Sequence, residues 1–263
     1  MDDGSAGSYL GSIVNGVAYL GSPAGRIYAV DTESGRERWR AAVSAAAQTL
    51  VLEPVADEDI VAAVFRLSTM PQTGGVIALD ARTGVERWRT MFPRPPNGAL
   101  GSNGAGNPVL TTDVVLAAAG YGEIFAFDRR TGAVQWSLPK VQGLPSDYFV
   151  STDYDFRVLA LGGTRLIAGS LTGAVTAYDV EAHHELWRNT GQRLASVGFG
   201  IAVDGNTAYV PYLGGRLVAI DLETGAERWQ AAPAGGGFSF PPLIAGSRLF
   251  VANTASGFYA LRW

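Results

Sequence analysis

The sequence predicts an all-β fold, a six-bladed β-propeller of four-stranded antiparallel blades, with residues 1–263 forming a single domain. The first observation behind this prediction is a unit that recurs every 41 to 51 residues, which is the period of one blade. The second is that each unit holds about four short apolar segments bounded by turn residues. The third is the placement of tryptophan, because five of the six tryptophans lie eight residues after an aspartate.

The repeated unit reads G-x-h-h-A-h-D-x-x-T-G-x-x-x-W, where h is an apolar residue. Its first half, for example residues 26–30, predicts a β-strand. The D-x-x-T-G stretch predicts a tight hairpin. In it the aspartate accepts hydrogen bonds from turn amides and the glycine supplies the positive φ of a bulge. The five aspartates are Asp31, Asp80, Asp128, Asp179 and Asp221, and a sixth, shortened copy, GFYALRW, ends the sequence.

The recurring tryptophans are predicted to pack blade against blade, because a single blade buries one face only and must stack on its neighbours. Stacking of a cofactor or a sugar is the alternative, but packing better explains why every copy carries the same residue. The set comprises Trp39, Trp88, Trp136, Trp187, Trp229 and Trp263. Trp263 lacks the aspartate because Arg262 stands in its place.

Composition argues against several kinds of partner and chemistry. The net charge of −4 without a basic cluster argues against nucleic acid. No cysteine is present, so there is neither a disulfide framework nor a thiolate nucleophile. The two histidines are adjacent, and no Ser-His-Asp or three-histidine constellation can be assembled.

His183 falls on the glycine position of the fourth hairpin and is predicted to adopt positive φ there. A metal site formed by His183 and His184 is the weaker alternative, since adjacent strand residues point to opposite faces.

Three segments are longer than the repeat requires: residues 66–73, 91–107 and 141–156. Long loops on a rigid scaffold commonly carry function. The third segment interleaves aromatic residues with three aspartates, and both a binding surface and an ordinary loop remain open for it. A calcium site is a weak alternative, because the spacing and the glycine of a calcium loop are missing. The candidate binding residues of this segment are Tyr148, Phe149, Tyr154 and Phe156.

Residues that open the innermost strand of a blade are candidates for lining the central channel, where a ligand binds. The residues that stand just before an apolar first strand are Asn107, Arg157, Phe199 and Phe240. Ordinary core packing is the alternative for these four.

Closure of the ring is predicted to involve both ends of the chain. Residues 12–22 form the first hairpin of the first repeat, which leaves residues 1–11 to supply the outer strand missing after Trp263. Alternatively, residues upstream of this sequence complete that blade.

The A-x-D-x-x-T-G-x-x-x-W unit resembles the tryptophan-docking motif of the pyrroloquinoline-quinone (PQQ) type β-propellers, and the likeness covers nearly the whole chain. In that family the tryptophans lock adjacent blades, and the resemblance implies the same role for the six tryptophans here. The enzymes of the family bind PQQ and Ca²⁺ on eight blades, with a catalytic aspartate and often a vicinal disulfide. The non-enzymatic members include the lipoprotein scaffold of the outer-membrane assembly machine and the sensor domains of bacterial Ser/Thr kinases.

This chain resembles the non-enzymatic members because it has six repeats and no cysteine, and because its motif aspartates are explained by hairpin turns. We therefore expect an interaction or sensing module with no cofactor, no bound metal and no catalytic residue. Its partner would be a protein, a peptide or a small ligand at the channel mouth. The expected location is extracytoplasmic, in the periplasm or at the cell surface, and the cytoplasm is the alternative. The membrane would be reached only through a segment outside this sequence. A divergent PQQ-dependent dehydrogenase is the alternative function, and a domain excised from a longer kinase or lipoprotein is the alternative to a whole protein.

Overall fold

The structure, a computed structural model, describes residues 9–44, 49–67, 73–93, 104–120, 122–138, 156–191, 195–232, 236–238, 240–254 and 257–262. The chain divides into two compact units, Met1–Tyr148 and Phe149–Trp263. Each unit contains three antiparallel sheets, which confirms the all-β fold and the six blades. A single domain stays a prediction. In the part of the chain that is described, no helix is long and apolar enough to cross a membrane.

The first unit contains thirteen described strands. The first sheet is β1 (Tyr9–Val14), β2 (Val17–Gly21), β3 (Arg26–Asp31) and β4 (Glu37–Ala42). The second is β5 (Thr49–Val51), β6 (Val55–Ala56), β7 (Ile60–Leu67), β8 (Thr73–Asp80) and β9 (Glu86–Met91). The third is β10 (Gly104–Leu110), β11 (Val114–Ala119), β12 (Ile124–Asp128) and β13 (Val134–Leu138). The second sheet has five strands because β5 and β6 both pair with β7 and together replace one first strand.

The second unit contains the other eleven described strands. The fourth sheet is β14 (Phe156–Gly162), β15 (Arg165–Ser170), β16 (Val175–Asp179) and β17 (His184–Asn189). The fifth is β18 (Ala202–Asp204), β19 (Thr207–Pro211), β20 (Leu217–Asp221) and β21 (Glu227–Ala231). The sixth is β22 (Leu243–Ala245), β23 (Arg248–Ala252) and β24 (Phe258–Arg262). Within the described residues the sixth sheet has three strands, and the strand it lacks is the outer one, which was predicted to come from elsewhere in the polypeptide.

The predicted hairpin forms between the third and fourth strands of the first five sheets. In the second sheet Gly84 has φ +70°, its amide donates to the Asp80 carbonyl over 2.9 Å, and the ladder shifts register after Ala78. His183 has φ +55° in the fourth sheet, which confirms that it occupies the glycine position of the turn. Asn, Asp and His are the non-glycine residues that tolerate this region best.

In each of the first five repeats, the alanine lies opposite the tryptophan in the ladder between the third and fourth strands. Ala29 pairs with Trp39, Ala78 with Trp88, Ala126 with Trp136, Ala177 with Trp187 and Ala219 with Trp229. Each alanine is 0% exposed. A methyl group leaves room for the adjacent indole, and this explains why alanine recurs at this position.

The core lies between neighbouring sheets of each unit. In the first unit, Ile27 and Ala29 of the first sheet pack with Val61 and Ile77 of the second. The second and third sheets share a further cluster that includes Val64 and Phe127. In the second unit, comparable clusters join the fourth sheet to the fifth and the fifth to the sixth. Burial of these apolar faces is the main stabilising contribution to such stacked sheets.

The prediction that residues 1–11 supply the outer strand of the sixth sheet is wrong for Tyr9 and Leu10. Tyr9 and Leu10 belong to β1, where they pair with Gly21 and Leu20 of the first sheet. They are therefore not an outer strand of the sixth sheet. Residues 1–8 lie outside the described part of the chain.

Candidate functional site

The first strand of each of the six sheets is interrupted at one place. The register to the second strand shifts there in three sheets, between Leu10 and Ile13, between Ala105 and Val109, and between Phe156 and Val158. In the second sheet the interruption separates β5 from β6 around Pro54, which has no amide hydrogen to donate. In the fifth and sixth sheets a single bridge, Val197 with Tyr212 or Phe238 with Asn253, precedes the short strand. Bulges of this kind redirect side chains and are common beside functional sites.

Phe199 and Phe240 lie at this interruption in the fifth and sixth sheets. They stand just before β18 and β22, where the sequence placed them, and they are 55% and 62% exposed. Each follows its bridge residue by two positions, so the two rings occupy equivalent positions of neighbouring repeats.

The segments that carry these rings are closely packed against their neighbours. A Cβ atom at Gly200 would lie 2.6 Å from Cβ of Pro241, and one at Gly237 would lie 2.0 Å from the carbonyl oxygen of Leu213. Leu213 itself is 43% exposed. We refer to Phe199, Leu213 and Phe240 as the Phe199–Phe240 surface. Because glycine alone fits at these contacts, the surface rests on a tightly packed support.

Asn107 and Arg157 lie within a first strand, in β10 and β14, and not before it as predicted. The difference arises because both strands extend through the interruption as bulges. Asn107 is half-buried and its Nδ2 donates to the Pro108 carbonyl over 3.4 Å. The side chain of Arg157 lies outside the described part of the chain.

One prediction for the aromatic segment 141–156 is wrong, namely that Phe156 belongs to a binding surface. Phe156 is 0% exposed and packs edge-to-face on Tyr178, with ring centroids 6.1 Å apart. It is a core residue and not part of a binding surface, because β14 begins at this position and turns the ring inward. Tyr148, Phe149 and Tyr154 lie outside the described residues.

Three tryptophans contact the hairpin of the following sheet in the same way. A Cβ at Gly84, Gly132 or Gly225 would fall within 2.6 Å of an indole carbon of Trp39, Trp88 or Trp187, respectively. The indole Nε1 donates to a carbonyl just after the turn aspartate, at distances of 2.8 to 3.0 Å. The three acceptors are Ala81, Arg129 and Leu222.

Of the other three tryptophans, two lie in the described residues. Trp229 packs on Tyr209, with ring centroids 5.9 Å apart, and Trp136 is half-buried. Trp263 lies outside the described residues. The contact of Gly84, Gly132 and Gly225 with the tryptophan of the preceding sheet was not predicted from the sequence. The signal was the recurrence of both residues in the same copies.

Four of the five turn aspartates accept hydrogen bonds on both carboxylate oxygens, namely Asp31, Asp80, Asp128 and Asp221. Oδ1 of Asp80 accepts from the amide and hydroxyl of Thr83 over 2.9 and 2.8 Å, and Oδ2 accepts from Arg87 over 2.8 Å. The Arg87 and Thr83 hydrogen bonds hold the pKa of Asp80 well below its usual range. The hydrogen bond from Arg228, followed by the Thr224 amide, lowers the pKa of Asp221 to about 2. Such carboxylates are poor general bases, because their lone pairs are already used.

No group of three or more His, Asp or Glu residues in the described ranges is arranged to hold a metal ion. His184 pairs with Asp179 in the ladder between β16 and β17, and His183 serves the turn. The interpretation of His183 as a turn residue therefore accounts for its position.

Stacked four-stranded sheets with docked tryptophans and D-x-x-T-G hairpins define this chain as a PQQ-like β-propeller. The model of the family described as outer membrane protein assembly factor BamB matches residues 2–146 and 171–262. The chain therefore belongs to that family.

Individual relatives agree with this assignment. The chain is 25% identical over 261 residues to the outer membrane protein assembly factor BamB of Burkholderia pseudomallei, covering 94% of this chain and 61% of that protein. It thus spans about three fifths of that relative. The crystal structure of BamB from Moraxella catarrhalis matches with a TM-score of 0.63 at 18% identity, over 96% of this chain and 85% of that chain. At this identity the match supports the fold alone.

Shorter similarities extend to two other kinds of protein. Serine/threonine-protein kinase AfsK of Streptomyces coelicolor is 31% identical over 169 residues, which are 61% of this chain and 18% of the kinase. Quinoprotein ethanol dehydrogenase of Pseudomonas aeruginosa is 27% identical over 140 residues, which are 46% of this chain and 22% of the enzyme.

Proposed function

We propose that this chain is a non-catalytic propeller that binds a protein partner outside the cytoplasm, as a scaffold of the outer membrane assembly type. The observation that carries the proposal is the Phe199–Phe240 surface, which exposes two phenylalanine rings at equivalent positions of neighbouring repeats. Large aromatic side chains exposed together on a rigid support are typical of protein-binding sites. Membership in the BamB family supports the scaffold assignment.

A sensor domain of a bacterial Ser/Thr kinase is the second candidate, and the similarity to AfsK favours it. The two candidates differ in the polypeptide that the propeller belongs to. Reading the coding sequence upstream of residue 1 in the natural gene tests them. A kinase domain there supports the sensor role, whereas a lipoprotein signal supports the scaffold.

The dehydrogenase alternative is less well supported by the geometry of the turns. The aspartates Asp31, Asp80, Asp128, Asp179 and Asp221 each accept hydrogen bonds from their own turn. Titration of the protein with PQQ and Ca²⁺, followed by quinone absorbance, is expected to give no saturable change. A saturable change accompanied by dye-linked alcohol oxidation would favour the enzyme instead.

The protein-binding proposal is tested by capturing partners from the envelope fraction of the source organism. The double variant Phe199→Ser/Phe240→Ser is expected to reduce recovery of the specific partner by about 30-fold, the effect of one hot-spot contact. Val85→Ser is the matched control, because Val85 is 64% exposed but lies at a hairpin of the first unit. Adding substitutions at Asn107 and Arg157 tests the other two predicted positions. Equal recovery by the wild type, the control and all variants would overturn the proposal.

A further inference from the structure

The turn between β1 and β2 consists of two residues, Asn15 and Gly16. β1 ends at Val14, which pairs with Val17 at the start of β2. Asn15 and Gly16 have φ +48° and +72°, and positive φ at both central residues is the signature of a type I′ hairpin turn. Both residues are exposed. The amide side chain of Asn15 therefore lies in solvent, next to the backbone nitrogen of a glycine.

The exposure of this kind of turn does not depend on what lies beside its sheet. The fifth sheet packs against the fourth on one face and against the sixth on the other. The corresponding turn of the fifth sheet, residues 204–206, is nevertheless exposed at all of its positions. The tip of the turn thus stays in solvent when both faces of a sheet are covered.

The amide nitrogen of Gly16 is uncrowded. Apart from its chain neighbours, a Cβ atom at Gly16 would have only Thr32 Oγ1 within 4 Å, at 3.7 Å. Within the described ranges the Gly16 amide donates no hydrogen bond. A side chain on the residue after an asparagine shields the amide nitrogen between them, whereas glycine leaves that nitrogen open. The Gly16 nitrogen is therefore accessible as a nucleophile.

We propose that Asn15 is a site of spontaneous deamidation, which disrupts a contact between the first and second sheets. A base removes the amide proton of Gly16, and the nitrogen attacks Cγ of Asn15. The bond between Cγ and Nδ2 breaks, and Nδ2 takes up a proton and leaves as ammonia while a succinimide ring closes. Water then opens the ring at either carbonyl carbon and gives aspartate or isoaspartate at this position. One water is consumed, one ammonia is released, and nothing is oxidised or reduced.

The contact at stake is a hydrogen bond from Nδ2 of Asn15 to Oε1 of Glu58, at 2.9 Å. Glu58 lies between β6 and β7 of the second sheet, so this bond joins two sheets. Deamidation replaces the donor with a carboxylate. Two carboxylates then face each other, and like charges at this separation repel.

The charges around Glu58 do not offset this repulsion. Its neighbours in the turn are Asp57 and Asp59, which are also acidic. The arginines that contact this turn are already paired, Arg129 with Asp57 and Arg87 with Asp59, the latter over 2.7 Å. A new carboxylate on the first sheet therefore weakens the contact between the two sheets.

The isoaspartate product has a second effect, because it adds one carbon to the backbone of a two-residue turn. The Gly16 carbonyl accepts hydrogen bonds from the amide and the hydroxyl of Thr32, over 2.8 and 3.0 Å. Thr32 lies between β3 and β4, so these bonds join the two turns of the first sheet. A lengthened backbone displaces the carbonyl and weakens both bonds. This site is separate from the Phe199–Phe240 surface, and it goes beyond the function proposed above.

The chain contains a matched control for this reaction. Asn206 is also an exposed turn residue, and its Nδ2 also donates to a carboxylate, Oδ2 of Asp221 at 3.1 Å. It is followed by Thr207 instead of glycine. Trypsin releases each asparagine in a fragment in which it is the only amide side chain, residues 1–26 and residues 194–216.

The test incubates the full chain in mildly alkaline buffer and follows the two tryptic fragments by mass spectrometry. Fragment 1–26 is expected to gain the mass difference between NH2 and OH several-fold faster than fragment 194–216. Fragmentation is expected to locate both aspartate and isoaspartate at position 15. Asn15→Gly should abolish the gain and keep the turn, because glycine accepts positive φ. The site is overturned by no gain in fragment 1–26, by equal rates in the two fragments, or by aspartate without isoaspartate.

Urea unfolding tests the structural consequence separately. Asn15→Asp is expected to lower the urea midpoint of the wild type, and to lower it less in a Glu58→Gln background, where the repulsion is absent. Equal shifts in the two backgrounds would overturn the effect on the contact between the sheets. Phe199→Ser/Phe240→Ser should deamidate at the wild-type rate, so this outcome is independent of the test of protein binding.

Discussion

The indole of Trp39 in the first sheet covers Gly84 in the hairpin of the second. A Cβ atom at Gly84 would lie 2.6 Å from Cε3 of Trp39, while the indole Nε1 donates to the Ala81 carbonyl over 3.0 Å. The same arrangement recurs between Trp88 and Gly132 and between Trp187 and Gly225. One glycine thus serves two purposes, since it forms the turn of its own sheet and receives the tryptophan of the preceding one.

Because Gly84 both forms the turn and contacts Trp39, Gly84→Ala is expected to destabilise the protein more than Gly35→Ala does. Both glycines have positive φ, +70° and +68°, but Gly35 has nothing within 4 Å of an added Cβ. Gly35→Ala is expected to cost about 1 kcal/mol from the backbone alone. Gly84→Ala is expected to cost about 1–3 kcal/mol more, because the methyl group overlaps Trp39. Urea unfolding of the two variants measures the difference, and equal losses would show that the contact has no energetic effect.

The second prediction concerns the tryptophan itself. Trp88 is 7% exposed, stacks on Phe127 at 6.2 Å and donates to the Arg129 carbonyl over 2.8 Å. Trp88→Ala is expected to lower the free energy of unfolding by about 3–5 kcal/mol. Trp88→Phe keeps much of the packing but loses the hydrogen bond, so a smaller loss of about 1–3 kcal/mol is expected. Thermal unfolding of both variants ranks the two contributions. A loss below 1 kcal/mol for Trp88→Ala would contradict a docking role.

His183 provides a test of the turn interpretation. It holds φ +55° where four other repeats carry glycine. His183→Gly is expected to be neutral or to stabilise the protein by up to about 1 kcal/mol. His183→Val is expected to destabilise it, because a β-branched residue is poorly accommodated at positive φ. Loss of stability in the glycine variant would instead indicate that the imidazole makes an important contact.

The turn aspartates predict a loss of stability in acid. The hydrogen bond from Arg228 lowers the folded-state pKa of Asp221 to about 2, whereas an unfolded aspartate titrates near about 4. A lowered pKa contributes stability that is fully present above the unfolded value and is lost as the pH falls through the folded value. The free energy of unfolding should therefore decline between about pH 4 and about pH 2. Asp221→Asn should be less stable at neutral pH and should show a shallower decline.

A matched variant isolates the main cause of that shift. Arg228→Gln keeps the Asp221 carboxylate and the Thr224 amide bond but removes the guanidinium. The decline in the free energy of unfolding should then be smaller and should end at a higher pH, as measured by urea unfolding followed by circular dichroism at several pH values. An unchanged profile would assign the acid sensitivity to other groups.

Much of the fold could be predicted from the repeat, because the interactions that form the hairpin turns are local. Asp80, Thr83 and Gly84 form their hairpin within five residues, so the motif predicted the turn, its bulge and the positive φ of His183. The interruption of the first strands was harder to foresee. Asn107 and Arg157 were predicted to precede their strands, yet bulges let β10 and β14 extend past them. A bulge depends on the partner strand, which the local sequence does not identify.

The sequence by itself determined the number of repeats, the four-strand unit of the first five and the residues that form each turn, since these depend on neighbours along the chain. Only the tertiary structure decided which side chains are covered. Phe156 looked like a surface aromatic but is fully buried, whereas Phe258 occupies a position that is buried in every other repeat and is 71% exposed. Exposure depends on whether another sheet lies against the residue, and that contact joins segments roughly one repeat apart in the chain.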